Sequence, residues 1–131
     1  MSRMLEVLAA LRAANEQRDR AAVLALVTPD VEYHYHVGSK PLIGPEKIGK
    51  FLDYHWGHTR ALVWTISTHA ENSDKLLVEG SESFFDITVG KEVHIPYMGI
   101  FEFRDGLIAR WRDYFQLQTV PGGPTAVSLE P

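Results

Sequence analysis

The chain contains no cysteine among its 131 residues, so disulfide bonds and thiolate chemistry are excluded. No apolar run approaches the roughly 18 residues that a membrane-spanning helix requires. No glycine-rich phosphate loop or nucleotide-binding signature occurs. The net charge of −4 offers no overall basic field to nucleic acid. We therefore expect no cofactor or metal, no nucleic-acid partner and no membrane attachment.

The composition is that of an ordinary globular protein, with 45% hydrophobic and 23% charged residues. Charges at Arg3, Glu6 and Arg12 do not fit the pattern of a signal peptide. We expect a soluble cytoplasmic protein with one domain over residues 1–120. Residues 121–131, which begin with a cluster of proline and glycine, are expected to form a loose C-terminal arm.

The periodicity of apolar residues predicts that helices come first and strands come last. Helical spacing and capping residues predict helices over residues 3–16, 20–27 and 45–57. Strand patterns cover residues 31–37, 61–69, 75–88, 92–103 and 107–117. This order predicts an α+β fold, in which N-terminal helices pack on the concave face of a cone-shaped, antiparallel or mixed sheet. Such a cone leaves room for a pocket.

The last predicted strand carries a carboxylate on its apolar face. Side chains alternate between the faces of a strand, and one face carries Leu107, Ala109, Trp111, Asp113, Phe115 and Leu117. The other, mostly polar face carries Ile108, Arg110, Arg112, Tyr114 and Gln116. A buried carboxylate is costly unless it is paired or functional. Asp113 is therefore a candidate site residue, and a structural hydrogen-bonded role is the alternative.

Glu82 is the second candidate carboxylate. It alternates with Gly80 and Phe84 on the predicted strand 75–88, but neither face of that strand is clearly apolar. The pattern leaves open whether Glu82 faces a pocket or solvent. If Glu82 lies close to Asp113, the two carboxylates share a proton, and one can act as acid while the other acts as base.

Aromatic residues are numerous for one small cone: Tyr33, Tyr35, Phe51, Trp64, Tyr97, Phe101, Trp111 and Phe115. Most such residues belong to a core, but some must line a pocket if one exists. On strand 31–37 the tyrosines share one face, while Glu32, His34 and His36 share the other. A solvated histidine face is favoured, and a shift of one residue would turn the histidines inward. The pocket would suit a small hydrophobic, oxygenated molecule.

The order of elements resembles the nuclear transport factor two-like fold. Residues 44–48 look like the start of its third helix, and residues 99–106 look like its penultimate strand and turn. The sequence Trp111-Arg112-Asp113-Tyr114-Phe115 is similar to the final-strand motif of SnoaL-like proteins and limonene-1,2-epoxide hydrolases. The resemblance covers residues 3–120 and implies a SnoaL-like domain over residues 1–120.

The comparison with the epoxide hydrolases implies an aspartate–arginine–aspartate set, with a tyrosine and an asparagine that hold the water. Asp113 falls on the second aspartate and Glu82 falls near the first. Tyr33 and Tyr35 fall near the water-holding pair, so the asparagine has no counterpart. Gly80 stands where the arginine is expected.

Ketosteroid isomerases provide a second comparison. Val37-Gly38-Ser39 and Pro41 resemble the loop that follows their catalytic base. Tyr35 occupies the position of the base, and Gly99 occupies the position of the oxyanion aspartate. Since catalytic positions of both families hold other residues here, the resemblance does not imply either activity with its full set of catalytic residues.

Two functions follow from the residues and the resemblance together. The first is a cofactor-independent hydrolase, isomerase or cyclase, with Asp113, Glu82, Tyr35 and Tyr33 as catalytic residues. Its substrate-binding residues would be Trp111, Phe51, Trp64, Tyr97, Phe101, Phe115 and His36. The alternative is a non-catalytic ligand-binding or dimerisation module. The absent arginine and asparagine favour the module, and a carboxylate on an apolar face favours the enzyme.

The outer face of the sheet also carries apolar side chains, namely Met98, Ile100 and Tyr114. Apolar residues on both faces of antiparallel strands indicate that the second face is covered. Members of the fold that the sequence resembles commonly dimerise through this face. We therefore expect a homodimer.

Overall fold

A computed structural model describes residues 2–116 of the chain. Its elements in chain order are α1 (Arg3–Glu16), α2 (Arg20–Leu24), β1 (Val27–His34), β2 (Leu42–Ile43), α3 (Pro45–Gly57), β3 (Thr59–Asn72), β4 (Lys75–Asp86), β5 (Lys91–Arg104) and β6 (Leu107–Phe115). The predicted α+β order is confirmed. The predicted C-terminal arm and Leu117 lie outside the described residues. Within them, no helix is long and apolar enough to cross a bilayer.

The helices begin where the sequence supplies capping residues. The Ser2 hydroxyl accepts the Leu5 amide at 3.2 Å, and the Asp19 carboxylate accepts the Ala22 amide at 3.1 Å. Pro45 occupies the first turn of α3. The prediction of helix over residues 20–27 was wrong at its end, because Val27 leaves the helix to pair with Ile108 of β6.

The six strands form one curved, unclosed sheet in the order β2-β1-β6-β5-β4-β3. All neighbours are antiparallel except β1 and β6, which run parallel. Strands β3 to β6 follow one another as hairpins. The helices cover the concave face, and the fully buried side chains come from every layer: Leu11, Val23, Val31, Ile48, Leu76, Phe101 and Ile108. The mixed cone predicted from the sequence is confirmed.

A bulge in β6 changes which residues face the core. Glu102 of β5 pairs with Arg110 and Phe103 pairs with Ile108, so Ala109 is an extra residue on β6. Simple alternation placed Ile108 on the outer face, and this was wrong because Ile108 is fully buried. The predicted alternation holds beyond the bulge, where Trp111 packs in the core.

Candidate active site

A cavity of about 270 Å³ lies between the helices and the concave face of the sheet. Its lining is mostly apolar and aromatic and comprises Asn15, Tyr33, Tyr35, Phe51, Leu52, His55, Trp64, Glu82, Phe84, Ile95, Tyr97, Trp111, Asp113 and Phe115. An apolar pocket with a few converging polar groups is the usual form of a small-molecule site. Both candidate carboxylates face this cavity.

Asp113 is held on β6 by two hydrogen-bond donors. The Trp111 indole Nε1 donates to its Oδ1 at 3.1 Å, and the Tyr33 hydroxyl is also hydrogen-bonded to the carboxylate. Burial raises the pKa of Asp113 well above its ordinary value, the charge of Glu82 raises it further, and the two hydrogen bonds partly oppose this. Gly99 of β5 pairs with Asp113 of β6, and a Cβ at position 99 would lie 3.1 Å from the Asp113 Oδ1. Glycine therefore leaves room for the carboxyl group.

Glu82 reaches the same cavity from β4, which resolves the strand phase that the sequence left open. The His55 Nε2 lies 3.8 Å from the Glu82 Oε1, beyond hydrogen-bond distance. Burial raises the pKa of Glu82 to about 7. Glu82 is therefore poised to gain or lose a proton near neutral pH.

The two carboxylates act as one titrating pair. Both pKa values are raised, and the charge of Glu82 contributes to the raised pKa of Asp113. The Trp111 and Tyr33 hydrogen bonds offset only part of the effect of burial on Asp113, whereas the pKa of Glu82 is raised only to about 7. We therefore place the shared proton on Asp113, and the negative charge on Glu82 as the pH passes about 7.

His55 lines the cavity as a neutral group. Burial, together with the charges of His58 and Arg18, lowers the pKa of His55 to about 4, and the charge of Asp86 partly opposes this shift. The imidazole is therefore uncharged at pH 7, and its contact with Glu82 is not an ion pair. In that state one ring nitrogen is a donor and the other an acceptor.

Three tyrosines line the cavity, and two of them, Tyr33 and Tyr97, are held in their neutral form. Tyr33 is buried with its ring centroid 4.1 Å from Trp111, and Tyr35 stacks on Phe51 at 4.9 Å. The Tyr97 hydroxyl accepts a hydrogen bond from the indole of Trp64. Burial raises the pKa of Tyr33 and Tyr97 well above the ordinary value. Their hydroxyl groups can therefore donate hydrogen bonds throughout the physiological range.

Two residues predicted to bind substrate do not line the cavity. Phe101 is 1% exposed and packs against Trp111 in the core, at the part of the sheet that the helices cover. His36 packs against Phe115, with 4.6 Å between the ring centroids. His34 lies 2.8 Å from Glu32, as expected for two side chains on the face opposite the tyrosines.

Several lining residues were not assigned to the site from the sequence, most notably Asn15 and His55. Asn15 is buried at the end of α1, and its Nδ2 donates to the Leu11 carbonyl at 3.4 Å. An amide therefore reaches the cavity from a helix, whereas the family comparison looked for one on a strand. Helical spacing was the available signal, because Asn15 follows Leu8 and Leu11, and His55 follows Phe51 and Leu52.

The helices and the curved sheet with a cavity on its concave face form the nuclear transport factor two-like fold. The family model for the SnoaL-like domain matches residues 7–111, and the chain belongs to this family. No curated protein matches the chain.

Three solved structures show the likeness in fold. An LEH-like epoxide hydrolase of M. tuberculosis has 24% identity, covering 86% of this chain and 82% of that chain, with a TM-score of 0.75. A putative polyketide cyclase of Xanthomonas campestris has 22% identity, coverages of 86% and 89%, and a TM-score of 0.77. An NTF2-like protein of unknown function from Burkholderia pseudomallei has 19% identity, coverages of 88% and 92%, and a TM-score of 0.79.

Proposed function

We propose that this chain is a cofactor-independent enzyme that performs acid–base chemistry on a small hydrophobic, oxygenated substrate, with epoxide hydration as the reaction that fits best. The observation that carries the proposal is the pair formed by Asp113 and Glu82 in an aromatic cavity. Two carboxylates that share one proton provide an acid and a base at the same pH.

Each carboxylate has a role in the proposed reaction. Protonated Asp113 donates its proton to the epoxide oxygen as the ring C–O bond breaks. Charged Glu82 takes a proton from the water that forms the new C–O bond, and the product is a diol. Proton transfer from Glu82 back to Asp113 then restores the starting state. Isomerisation or cyclisation would use the same pair, with a C–H proton in place of the water proton.

Polar groups around the pair support the positioning of water and substrate. The Tyr33 hydroxyl orients the Asp113 carboxylate through its hydrogen bond. Tyr35 and Asn15 supply a hydroxyl and an amide to the same cavity, where they can hold the attacking water or the substrate oxygen. Asn15 thus offers the amide that positional comparison with the epoxide hydrolases does not provide.

The second candidate function is a ligand-binding module without turnover. It is favoured by Gly80, which stands where the resemblance to epoxide hydrolases implies an arginine. Without that cation the carboxylates keep their raised pKa values, which would suit either proton sharing in catalysis or a neutral binding site. The two functions therefore differ in product formation and not in binding.

We expect cyclohexene oxide, styrene oxide and limonene oxide to raise the melting temperature by several degrees, because they bind the native state. With at least one of them, we expect diol to form above the rate in buffer alone, measured by gas chromatography. Stabilisation without diol would favour the binding module. If none of the three epoxides raises the melting temperature and no diol forms, both functions are contradicted.

We further propose that a second copy of the chain covers the outer face of the sheet. Met98 is 53% exposed and Tyr114 is 49% exposed, and they pair directly across β5 and β6. Val63 on β3 adds a third exposed apolar side chain on the same sheet, at 53%. Apolar side chains exposed together on one sheet are typical of an interaction surface.

Light scattering at micromolar concentration is expected to give about 30 kDa, which is twice the chain mass of 14.8 kDa. Met98→Lys should lower the mass to that of the monomer, because it places a charge in the apolar interface. Ile43→Lys is the matched control, since Ile43 is 48% exposed on a different strand. A wild-type protein of monomer mass would contradict the proposal.

A further inference from the structure

The cavity carries acidic groups that no basic group balances. Its titratable lining comes from five elements and the loop after β1, and comprises Tyr33, Tyr35, His55, Glu82, Tyr97 and Asp113. Among residues 2–116, no lysine or arginine lines it. Since Tyr33, Tyr97 and His55 are neutral at pH 7, the negative charge that appears as Glu82 ionises near that pH has no cation beside it in the lining.

Two arginines approach this region but are fixed outside the cavity. The Arg12 guanidinium donates to the Trp64 carbonyl, at 3.1 Å from Nε and 2.8 Å from Nη2. The Arg18 guanidinium donates to the backbone carbonyls of Trp56 and Thr59. An anionic ligand would therefore lose its hydration without meeting a cation in the lining.

The aromatic lining favours positive charge for an independent reason. The faces of tyrosine, tryptophan and phenylalanine rings attract cations through the ring quadrupole. Tyr33 and Trp111 lie together beside Asp113, and Tyr35 and Phe51 form a stacked pair in the same wall. Rings and carboxylates therefore present the same electrostatic preference to a ligand.

We propose that the cavity selects its ligand by charge and binds small hydrophobic amines as ammonium ions, in preference to neutral molecules and to the exclusion of carboxylates. This inference rests on the proposed function in that the same cavity is the ligand site, and it narrows the substrate class to hydrophobic molecules that carry an amine. The ammonium supplies the cation that the lining lacks. A positive charge within a few ångströms lowers the pKa of a carboxylate, so binding should release protons from the pair.

Three probes of nearly equal size test the charge preference: cyclohexanemethylamine, cyclohexanemethanol and cyclohexanecarboxylate. At pH 7.5 we expect the amine to bind about tenfold more tightly than the alcohol, and the carboxylate not to bind. The enthalpy of amine binding measured by calorimetry should differ between phosphate and Tris buffers, because the released protons bind to the buffer and add its ionisation enthalpy. Affinity for the amine should rise between pH 6 and pH 8, as the pair loses its proton, while affinity for the alcohol stays level.

Glu82→Gln should remove most of the preference for the amine and leave alcohol binding within about twofold, because the ring contacts remain. Glu79→Gln is the matched control, since Glu79 is exposed on the same strand. If the alcohol binds as tightly as the amine, or if the carboxylate binds, charge selection is refuted and the proposed function stands. If none of the three probes binds, both the inference and the ligand site are contradicted.

Discussion

Asp113→Asn is expected to abolish epoxide turnover while the protein stays folded. The amide keeps the shape of the carboxylate and can still accept a hydrogen bond from Trp111 or Tyr33. It cannot give a proton to the epoxide oxygen, and loss of a positioned general acid lowers rates by about 10²–10⁴-fold. Diol formation from the best substrate, measured under single-turnover conditions, checks this expectation. Asp74→Asn, in the turn between β3 and β4, is the control that should keep full activity.

The same variant should change how stability depends on pH. The folded pKa of Asp113 is raised, so ionisation favours the unfolded state once the pH passes the unfolded value of about 3.9. In the wild type, the contribution of Asp113 to the free energy of unfolding should therefore fall as the pH rises from about 3.9 to the folded pKa. Asp113→Asn removes this contribution and should be at least as stable as the wild type at pH 7. If it unfolds instead, Asp113 is a structural anchor and the enzyme proposal loses its main support.

The sequence predicted Asp113 more securely than Glu82 for a physical reason. The residues around Asp113 alternate between apolar and polar, and the bulge at Ala109 comes before them and leaves their phase intact. The residues around Glu82 are mixed on both faces, so only the pairing of β4 with its neighbours fixes the direction of the side chain. Alternation thus identifies a site residue only where one face is clearly apolar.

The remaining site residues come from tertiary packing, which a local pattern does not contain. Asn15 and His55 lie on helices, and they become cavity residues only because α1 and α3 lie over the concave face of the sheet. Phe101 was assigned to the cavity because it is aromatic and on the inner face, yet the helices cover that part of the sheet. Whether an inward-facing residue lines the cavity or packs under the helices therefore depends on its position along the strand, which only the three-dimensional structure shows.

Gly80→Ala is expected to be strongly destabilising. Gly80 pairs with Ile66 where β3 carries an extra residue, Ser67. A Cβ at position 80 would lie 1.9 Å from the Thr65 carbonyl oxygen and 3.0 Å from the Ile66 Cα, and both are backbone atoms. Because backbone cannot move aside as a flexible side chain can, we expect a loss of about 3 kcal/mol or more in the free energy of unfolding.

Chemical denaturation of Gly80→Ala beside Gly57→Ala tests this expectation. A Cβ at Gly57, in the last turn of α3, would meet nothing within 4 Å, so this control should be neutral or slightly stabilising. Equal stability of the two variants would show that β3 yields easily at Thr65.

The same steric argument decides whether the arginine implied by the epoxide hydrolases could be restored. Gly80→Arg places the same Cβ against the Thr65 carbonyl, so it should unfold the chain before its guanidinium can reach the carboxylates. A folded Gly80→Arg variant with faster diol formation would contradict this, and it would show that the pair works better with a fixed cation. If the variant unfolds as expected, Asp113 and Glu82 must work here without an arginine at that position, and positive charge near them has to come from the ligand.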